Sequence, residues 1–268
     1  MTHDDDLTRF AEEGADPLPV ADAEGFVDHE GARIRYASYG SGPTVVLLHG
    51  GLGHSGNWGH QVPALLDAGY RVLLIDSRGH GRSTRDERPY TYELMASDVV
   101  AVMDRLAIDN AAFVGWSDGA CIALVLAMRA AWRVRGVLFF GCNMDPSGTK
   151  EIDENNPLLQ RCFSRHAKDY ARLSGTPDAF GEFVAAVSLM MKTEPNYSPD
   201  DLARIAVPVT IAHSEHDEFI KRDHADYLAR SIPGAQFILL PGVSHFAPLQ
   251  RPALFNHAIL DFLARLTD

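Results

Sequence analysis

Cysteine is scarce in this sequence, whose 268 residues contain only Cys121, Cys142 and Cys162. The number is odd, and no pair has Cys-x-x-Cys or zinc-finger spacing. This speaks against a disulfide framework and against a cysteine-ligated zinc site. A chain of this length buries roughly 70–75% of its unfolded surface without such cross-links. We therefore expect three reduced, buried thiols.

Basic clusters are also missing. The chain has 24 Lys and Arg against 36 Asp and Glu, which gives a formal net charge of −12. Binding to nucleic acid needs clustered Lys and Arg for the phosphates, so we expect no nucleic-acid partner. Residues 1–24 hold eight acidic residues and one arginine. Their charge predicts an acidic, flexible arm that is solvated and poorly packed.

Long apolar runs are absent too. No segment approaches the roughly 18 residues that a membrane-spanning helix needs, so we expect no membrane partner. The N-terminal stretch MTHDDDLTRFAEE has neither the positive start nor the apolar core of a signal peptide. We therefore expect a cytoplasmic protein. The sequence is compatible with a homodimer but does not define an oligomeric state.

The sequence does contain a regular alternation of short β-type runs with longer helix-type segments. Continuous apolar runs such as TVVLLHG are typical of buried parallel strands. Strands that alternate with helices predict an α/β fold, with a mostly parallel central sheet and helices on both faces. The predicted strands are 32–40, 44–50, 70–79, 110–115, 134–141, 207–217 and 235–245.

The carboxyl ends of these predicted strands carry a serine, an acid and a histidine, in that order: Ser117, Asp217 and His245. Functional side chains in such sheets collect at these ends. Ser117 lies in the motif GWSDG, directly after a β-type run and directly before a helix-type segment. So sharp a reversal strains the serine backbone, and it needs Gly115 and Gly119 because side chains there would collide with neighbouring elements.

This order and the GWSDG motif resemble the α/β-hydrolase superfamily, over nearly the whole chain from about Gly25 onward. GWSDG is also similar to the nucleophile elbow of valacyclovirase-like esterases. The resemblance implies that Ser117 is the nucleophile, His245 the general base and Asp217 the acid that orients it. Glu215 is the alternative acid.

The resemblance also implies an oxyanion hole and a cap. The backbone N–H of Asp118 and that of Gly51 are the expected oxyanion donors, with Leu52 as an alternative to Gly51. Leu52, Trp58, Trp116 and Asp118 are candidate substrate-binding residues. Residues 146–200 are the expected helical cap over a core formed by residues 25–145 and 201–268. Its apolar residues either line a pocket or pack between cap helices; they include Phe180, Phe183, Leu189, Met190 and Met191.

Asp118, directly after the nucleophile, has two interpretations. It could charge the first turn of the following helix, which is worth about 0.3–1 kcal/mol. By resemblance, it could instead bind a substrate ammonium group beside the scissile carbonyl. We expect neither a cofactor nor a metal, because the histidines and acids around Asp217 lack the His-Glu-x-x-His pattern. His49 is expected to tie the neighbouring loop through backbone hydrogen bonds.

The predicted function is therefore a serine hydrolase that acts on a small ester or lactone. A hydrolase that cleaves C–C bonds of vinylogous diketones uses the same three residues and is the first alternative. A ligand receptor on a hydrolase scaffold is the second. Haloalkane dehalogenation is not expected, because it needs an aspartate nucleophile at position 117.

Overall fold

The structure is a computed structural model that describes residues 5–153 and 155–266. The strands in these ranges form one sheet in the order β1-β2-β4-β3-β5-β6-β7-β8. They are β1 (Ala23–His29), β2 (Ala32–Tyr39), β3 (Thr44–Leu48), β4 (Arg71–Ile75), β5 (Ala111–Trp116), β6 (Val134–Phe140), β7 (Val209–His216) and β8 (Gln236–Ser244).

The sheet is parallel from β4 to β8, and only β1 and β2 run antiparallel to their neighbours. This confirms the predicted mostly parallel sheet. The sequence pattern does not predict β1, because this edge strand (AEGFVDH) has no fully buried residue. A strand with one exposed face and one half-buried face carries only a weak apolar signal.

The helices in the described ranges are α1 (Asp5–Glu13), α2 (Gln61–Asp67), α3 (Tyr92–Arg105), α4 (Asp118–Arg129), α5 (Pro157–Leu173), α6 (Phe180–Thr193), α7 (Pro199–Leu202), α8 (Arg222–Ser231), α9 (Ala247–Gln250) and α10 (Pro252–Ala264). None of them is both long enough and apolar enough to cross a membrane.

Helices cover both faces of the sheet. Val46 and Leu48 of β3 join one buried cluster together with α3 and α4, whereas Val45 and Leu47 join a second cluster with α2 and α10. Successive residues of a strand point to opposite faces, so the two clusters are the cores on the two sides. All four side chains are fully buried.

Helices α5 and α6 lie in the segment predicted to form the cap. Asn156 caps α5 by accepting a hydrogen bond from the Leu158 N–H at 2.9 Å, and Pro157 occupies the first turn. The apolar residues of this segment differ in burial. Phe183 and Met190 are buried in the core, whereas Leu189 and Met191 are exposed by 59% and 37%.

The acidic N-terminal segment is better packed than its charge predicts. Residues 5–13 form α1, which buries Leu7 and Phe10 and packs on α5 and α9. The expectation of a poorly packed arm is therefore wrong for this helix, because its two apolar residues share one buried face, whereas Arg9, Glu12 and Glu13 are exposed. Residues 1–4 lie outside the described part of the chain. The division into arm, core and cap stays a prediction.

Candidate active site

Ser117 lies in a tight turn between β5 and α4, and its backbone has φ 53° and ψ −123°. A positive φ is costly for a residue with a side chain. The turn requires glycine on both sides. A Cβ on Gly115 would approach the Gly119 carbonyl oxygen to 2.4 Å, and one on Gly119 would approach the Leu48 carbonyl oxygen to 2.1 Å. The strain leaves Ser117 half-buried at the carboxyl end of the sheet.

The structure brings the other two predicted residues together at the same end. His245 Nδ1 lies 2.9 Å from Asp217 Oδ2, and both side chains are buried. The second carboxylate oxygen of Asp217 accepts the N–H groups of Phe219 and Ile220 at 2.9 and 2.8 Å. Asp217 therefore orients the His245 ring while its own position is fixed by the backbone of the following loop.

Charge and burial oppose each other in this pair. Burial alone would raise the pKa of Asp217, but the charge of His245 and the hydrogen bonds lower it. Burial alone would lower the pKa of His245, but the carboxylate and the hydrogen bond of Asp217 raise it. The pair therefore favours an imidazole that readily takes up a proton.

The alternative acid, Glu215, does not contact His245. Its Oε2 accepts the Gly242 N–H at 2.8 Å.

Two residues to which the sequence assigned no role hold the Asp217–His245 pair in place. Glu218 Oε2 accepts the His245 backbone N–H at 2.9 Å, and Lys150 Nζ donates to the Asp217 carbonyl oxygen at 2.6 Å.

The loop after β3 lies beside Ser117. A Cβ on Gly50 would be 3.2 Å from Ser117 Cβ, and one on Gly51 would be 2.6 Å from Asp118 Oδ2. The candidate oxyanion donors, the backbone N–H groups of Gly51 and Asp118, are thus carried by adjacent segments. The next residue in the loop, Leu52, has φ 62°.

His49 ties this loop to the scaffold, as its position in the sequence predicts. Its Nε2 accepts the Ser77 N–H at 3.0 Å, so the proton resides on Nδ1, which donates to the Gly50 carbonyl oxygen at 2.8 Å. Burial lowers the pKa of His49 to about 4. The ring is therefore neutral near pH 7, and both of its nitrogens are engaged with the backbone.

Asp118 is a buried carboxyl group, and only one of its two oxygens has a hydrogen-bond partner. Its Oδ1 accepts the Tyr92 hydroxyl at 2.8 Å, whereas Oδ2 is buried and has no hydrogen-bond partner in the described part of the chain. Burial raises the pKa of Asp118 to about 6. The only hydrogen bond described for this side chain therefore comes from α3 and not from its own helix, α4. The sequence does not indicate the contact between Tyr92 and Asp118, because the two residues lie on different helices.

The two candidate pocket tryptophans have different surroundings. Trp58 is fully buried, and its ring stacks on Phe255 at 6.3 Å between centroids, so it belongs to the core. Trp116 is also buried, but its Nε1 donates to the His245 carbonyl oxygen at 2.9 Å. Met191 of α6 also approaches the loop after β3, since its Cε is a short distance from the Cβ position of Gly51.

The sequence of this protein matches a known protein family over most of its length. Residues 45–258 match the model of the alpha/beta hydrolase family. The chain belongs to this family. The family and the relatives described next support a hydrolytic function.

The serine hydrolase BPHL of Homo sapiens is 28% identical over 244 residues, which cover 87% of this chain and 84% of BPHL. Bifunctional epoxide hydrolase 2 of Sus scrofa is 33% identical over 148 residues; the match spans 53% of this chain and only 27% of that protein. A solved structure described as Est816, an N-acyl homoserine lactone degrading enzyme, has 27% identity and a TM-score of 0.74, with 89% of this chain and all of that chain covered.

The raised pKa of Asp118 predicts a pH-dependent cost in stability. Between its ordinary value of 3.8 and about 6, the folded protein holds a proton that the unfolded chain has released. The free energy of unfolding of the wild type should therefore fall, relative to Asp118→Asn, by about 2–3 kcal/mol from about pH 4 to about pH 8. Urea unfolding across this range measures the difference. The exposed control Asp109→Asn should follow the wild type, and parallel curves for wild type and Asp118→Asn would contradict the prediction.

Proposed function

We propose that this protein is a serine hydrolase that cleaves a small carboxylic ester or lactone through an acyl-enzyme on Ser117. The observation that carries the proposal is the 2.9 Å contact between buried Asp217 and His245, at the same sheet edge as the strained serine. A serine hydroxyl is a weak nucleophile until a neighbouring base accepts its proton. An imidazole oriented by a carboxylate is such a base.

Each residue then has a defined step. Ser117 Oγ attacks the carbonyl carbon while His245 Nε2 takes the hydroxyl proton. The carbonyl oxygen becomes an oxyanion, which accepts hydrogen bonds from the backbone N–H groups of Gly51 and Asp118. The C–O bond to the leaving group breaks as His245 returns the proton to the leaving oxygen. Water repeats the sequence on the acyl-enzyme and releases the acid.

Two relatives support the proposal, one through its reaction class and one through its substrate. One is described as a serine hydrolase and another as a lactone-degrading enzyme. In a lactone the leaving oxygen stays attached to the acyl group, so the same steps open the ring. A C–C bond hydrolase and a ligand receptor could use the same scaffold. The experiment must therefore distinguish these two alternative functions from ester or lactone hydrolysis.

The proposal predicts turnover of p-nitrophenyl esters of short acids, or of small lactones, with an initial burst of alcohol product where deacylation is slow. Ser117→Ala should reduce kcat by at least about 10³-fold, because the nucleophile is lost. The exposed serine control, Ser147→Ala, should retain activity. Full activity in Ser117→Ala would contradict the proposal. Ser117-dependent turnover of vinylogous diketones alone would favour the C–C hydrolase, and tight binding without turnover would favour the receptor.

Asp118 supports a narrower substrate class, that of esters with an ammonium group next to the carbonyl. Its Oδ2 is buried without a partner and lies 2.6 Å from a Cβ built on Gly51, so the unsatisfied oxygen faces the loop proposed to hold the oxyanion. An ammonium group donates hydrogen bonds and supplies the positive charge that an isolated buried carboxylate lacks.

Amino-acid esters and their des-amino analogues test this role. The wild type should prefer the amino-acid ester, and the preference should rise with pH through about 6 as Asp118 ionises. Asp118→Asn should reduce kcat/KM for the amino-acid ester by roughly 10–100-fold, the value of one charge-assisted hydrogen bond, and leave the analogue within about threefold. An equal loss for both substrates would assign Asp118 a general structural role instead.

A further inference from the structure

The segment that carries Gly51 is held from the cap as well as from the core. Residues 50–58 form the oxyanion loop, a name we use for this segment from here on. On the core side, the Ser55 N–H donates to Asp76 Oδ1 at 2.7 Å. On the cap side, His54 reaches Asp169 of α5, with 3.4 Å between His54 Nε2 and Asp169 Oδ2. Both side chains are buried, at 6% and 2% exposure.

The protonation of His54 follows from its other contacts. Its Nδ1 accepts the Gly56 N–H at 3.0 Å, so Nδ1 carries no proton and the ring hydrogen resides on Nε2. That nitrogen is buried and forms no hydrogen bond to any other described group. The 3.4 Å separation is longer than an ordinary hydrogen bond, so the contact is mainly an attraction between the N–H dipole and the carboxylate.

His54 is also the N-terminal cap of the short helical turn Ser55–Trp58 in the oxyanion loop. Its backbone N–H donates to Asn57 Oδ1 at 2.9 Å. A Cβ on Gly53 would lie 3.0 Å from the Gly50 carbonyl oxygen, so the loop is tightly folded between His54 and Gly51. Only two residues separate His54 from Gly51 in this tightly folded loop.

Asp169 is a fixed anchor for this contact. It forms ion pairs with Arg165, with 2.9 Å between Arg165 Nε and Asp169 Oδ2, and with Arg172 at 3.1 Å. Burial alone would raise the pKa of Asp169, but the hydrogen bonds from Arg165 and the electrostatic attraction of the His54 ring lower it well below its usual range. The carboxylate thus stays charged in the interior and available to His54.

We propose that Asp169 of the cap is a positioning residue for the oxyanion hole, acting through His54 to hold the Gly51 N–H against Ser117. The inference rests on the proposed function, because it assigns a role to a donor used in that reaction. It makes the cap part of the catalytic geometry as well as a cover over the site. Misplaced oxyanion donors weaken transition-state binding more than substrate binding, so the effect belongs to kcat.

Two substitutions at His54 separate this role from simple capping. Asn in His54→Asn can still accept the Gly56 N–H, but it is too short to reach Asp169. Gln in His54→Gln is long enough to donate an amide N–H to Asp169. We expect His54→Asn to reduce kcat for the best ester about tenfold with KM changed less than about twofold, and His54→Gln to retain most of kcat.

A double-variant cycle tests whether the two residues act as one unit. Asp169→Asn should reduce kcat by about the same factor, and the double variant should be no slower than either single variant. Affinity for a trifluoromethyl ketone, whose adduct places an oxyanion in the hole, should fall with kcat. The matched control is His257→Asn, which breaks an exposed His257–Asp261 pair of 3.2 Å on α10 and should leave kcat unchanged.

The outcomes distinguish the two proposals. A lower melting temperature of His54→Asn with unchanged kcat and unchanged ketone affinity would overturn the positioning role and leave the hydrolase proposal intact. Equal losses in His54→Asn and His54→Gln would also overturn it, because the Asp169 contact would then be irrelevant. Absence of any Ser117-dependent ester or lactone turnover in the wild type would overturn both.

Discussion

The hydrogen bond between Asp217 and His245 is the interaction on which this account of the site depends. It joins the loop after β7 to the loop after β8, and Gly141 at the end of β6 leaves room for both side chains. A Cβ on Gly141 would lie 3.2 Å from the His245 ring and 3.3 Å from Asp217 Oδ2. The parallel register of β6, β7 and β8 therefore fixes His245, the proposed base, beside Trp116, which directly precedes Ser117. Without the carboxylate, burial would leave His245 a weaker base.

The protein accommodates its buried acids near the site in different ways. Asp217 and Asp169 have cationic or N–H partners that offset the cost of burial, and their pKa values are lowered. Asp118 has one hydroxyl partner and one unsatisfied oxygen, and its pKa is raised to about 6. The first two acids are thus satisfied within the fold. Asp118 keeps one unsatisfied buried oxygen beside the loop that carries Gly51, which is why we propose a substrate-binding role for it.

Local patterns predicted the features that depend on neighbours in sequence. The continuous apolar runs predicted the central strands, and the two glycines around Ser117 predicted the sharp turn, because each reflects steric demands within a few residues. The sequence also carried the order of Ser117, Asp217 and His245. Which acid faces the histidine, Asp217 or Glu215, depends on how the loop turns after β7, and only the structure resolves that contact.

Features that depend on packing between distant elements could not be predicted. The hydroxyl of Tyr92 reaches Asp118 from another helix, and Asp169 reaches His54 from the cap, so neither contact leaves a spacing in the sequence. The packing of α1 was missed for a related reason. The net charge was taken over 24 residues, and such a sum does not indicate that two apolar side chains, Leu7 and Phe10, are buried on one face of the helix.

The pH dependence of fluorophosphonate labelling, followed by peptide mapping, tests the roles proposed for Ser117, Asp217 and His245 most directly. We expect a single labelled site, Ser117. The labelling rate should rise with pH as His245 loses its proton, with a midpoint above the ordinary pKa of 6.5. Asp217→Asn should lower the rate by several orders of magnitude, about 10⁴-fold in a comparable triad, and move the midpoint to lower pH. Labelling at another residue, or a rate at Ser117 that is independent of pH and of Asp217, would contradict the account.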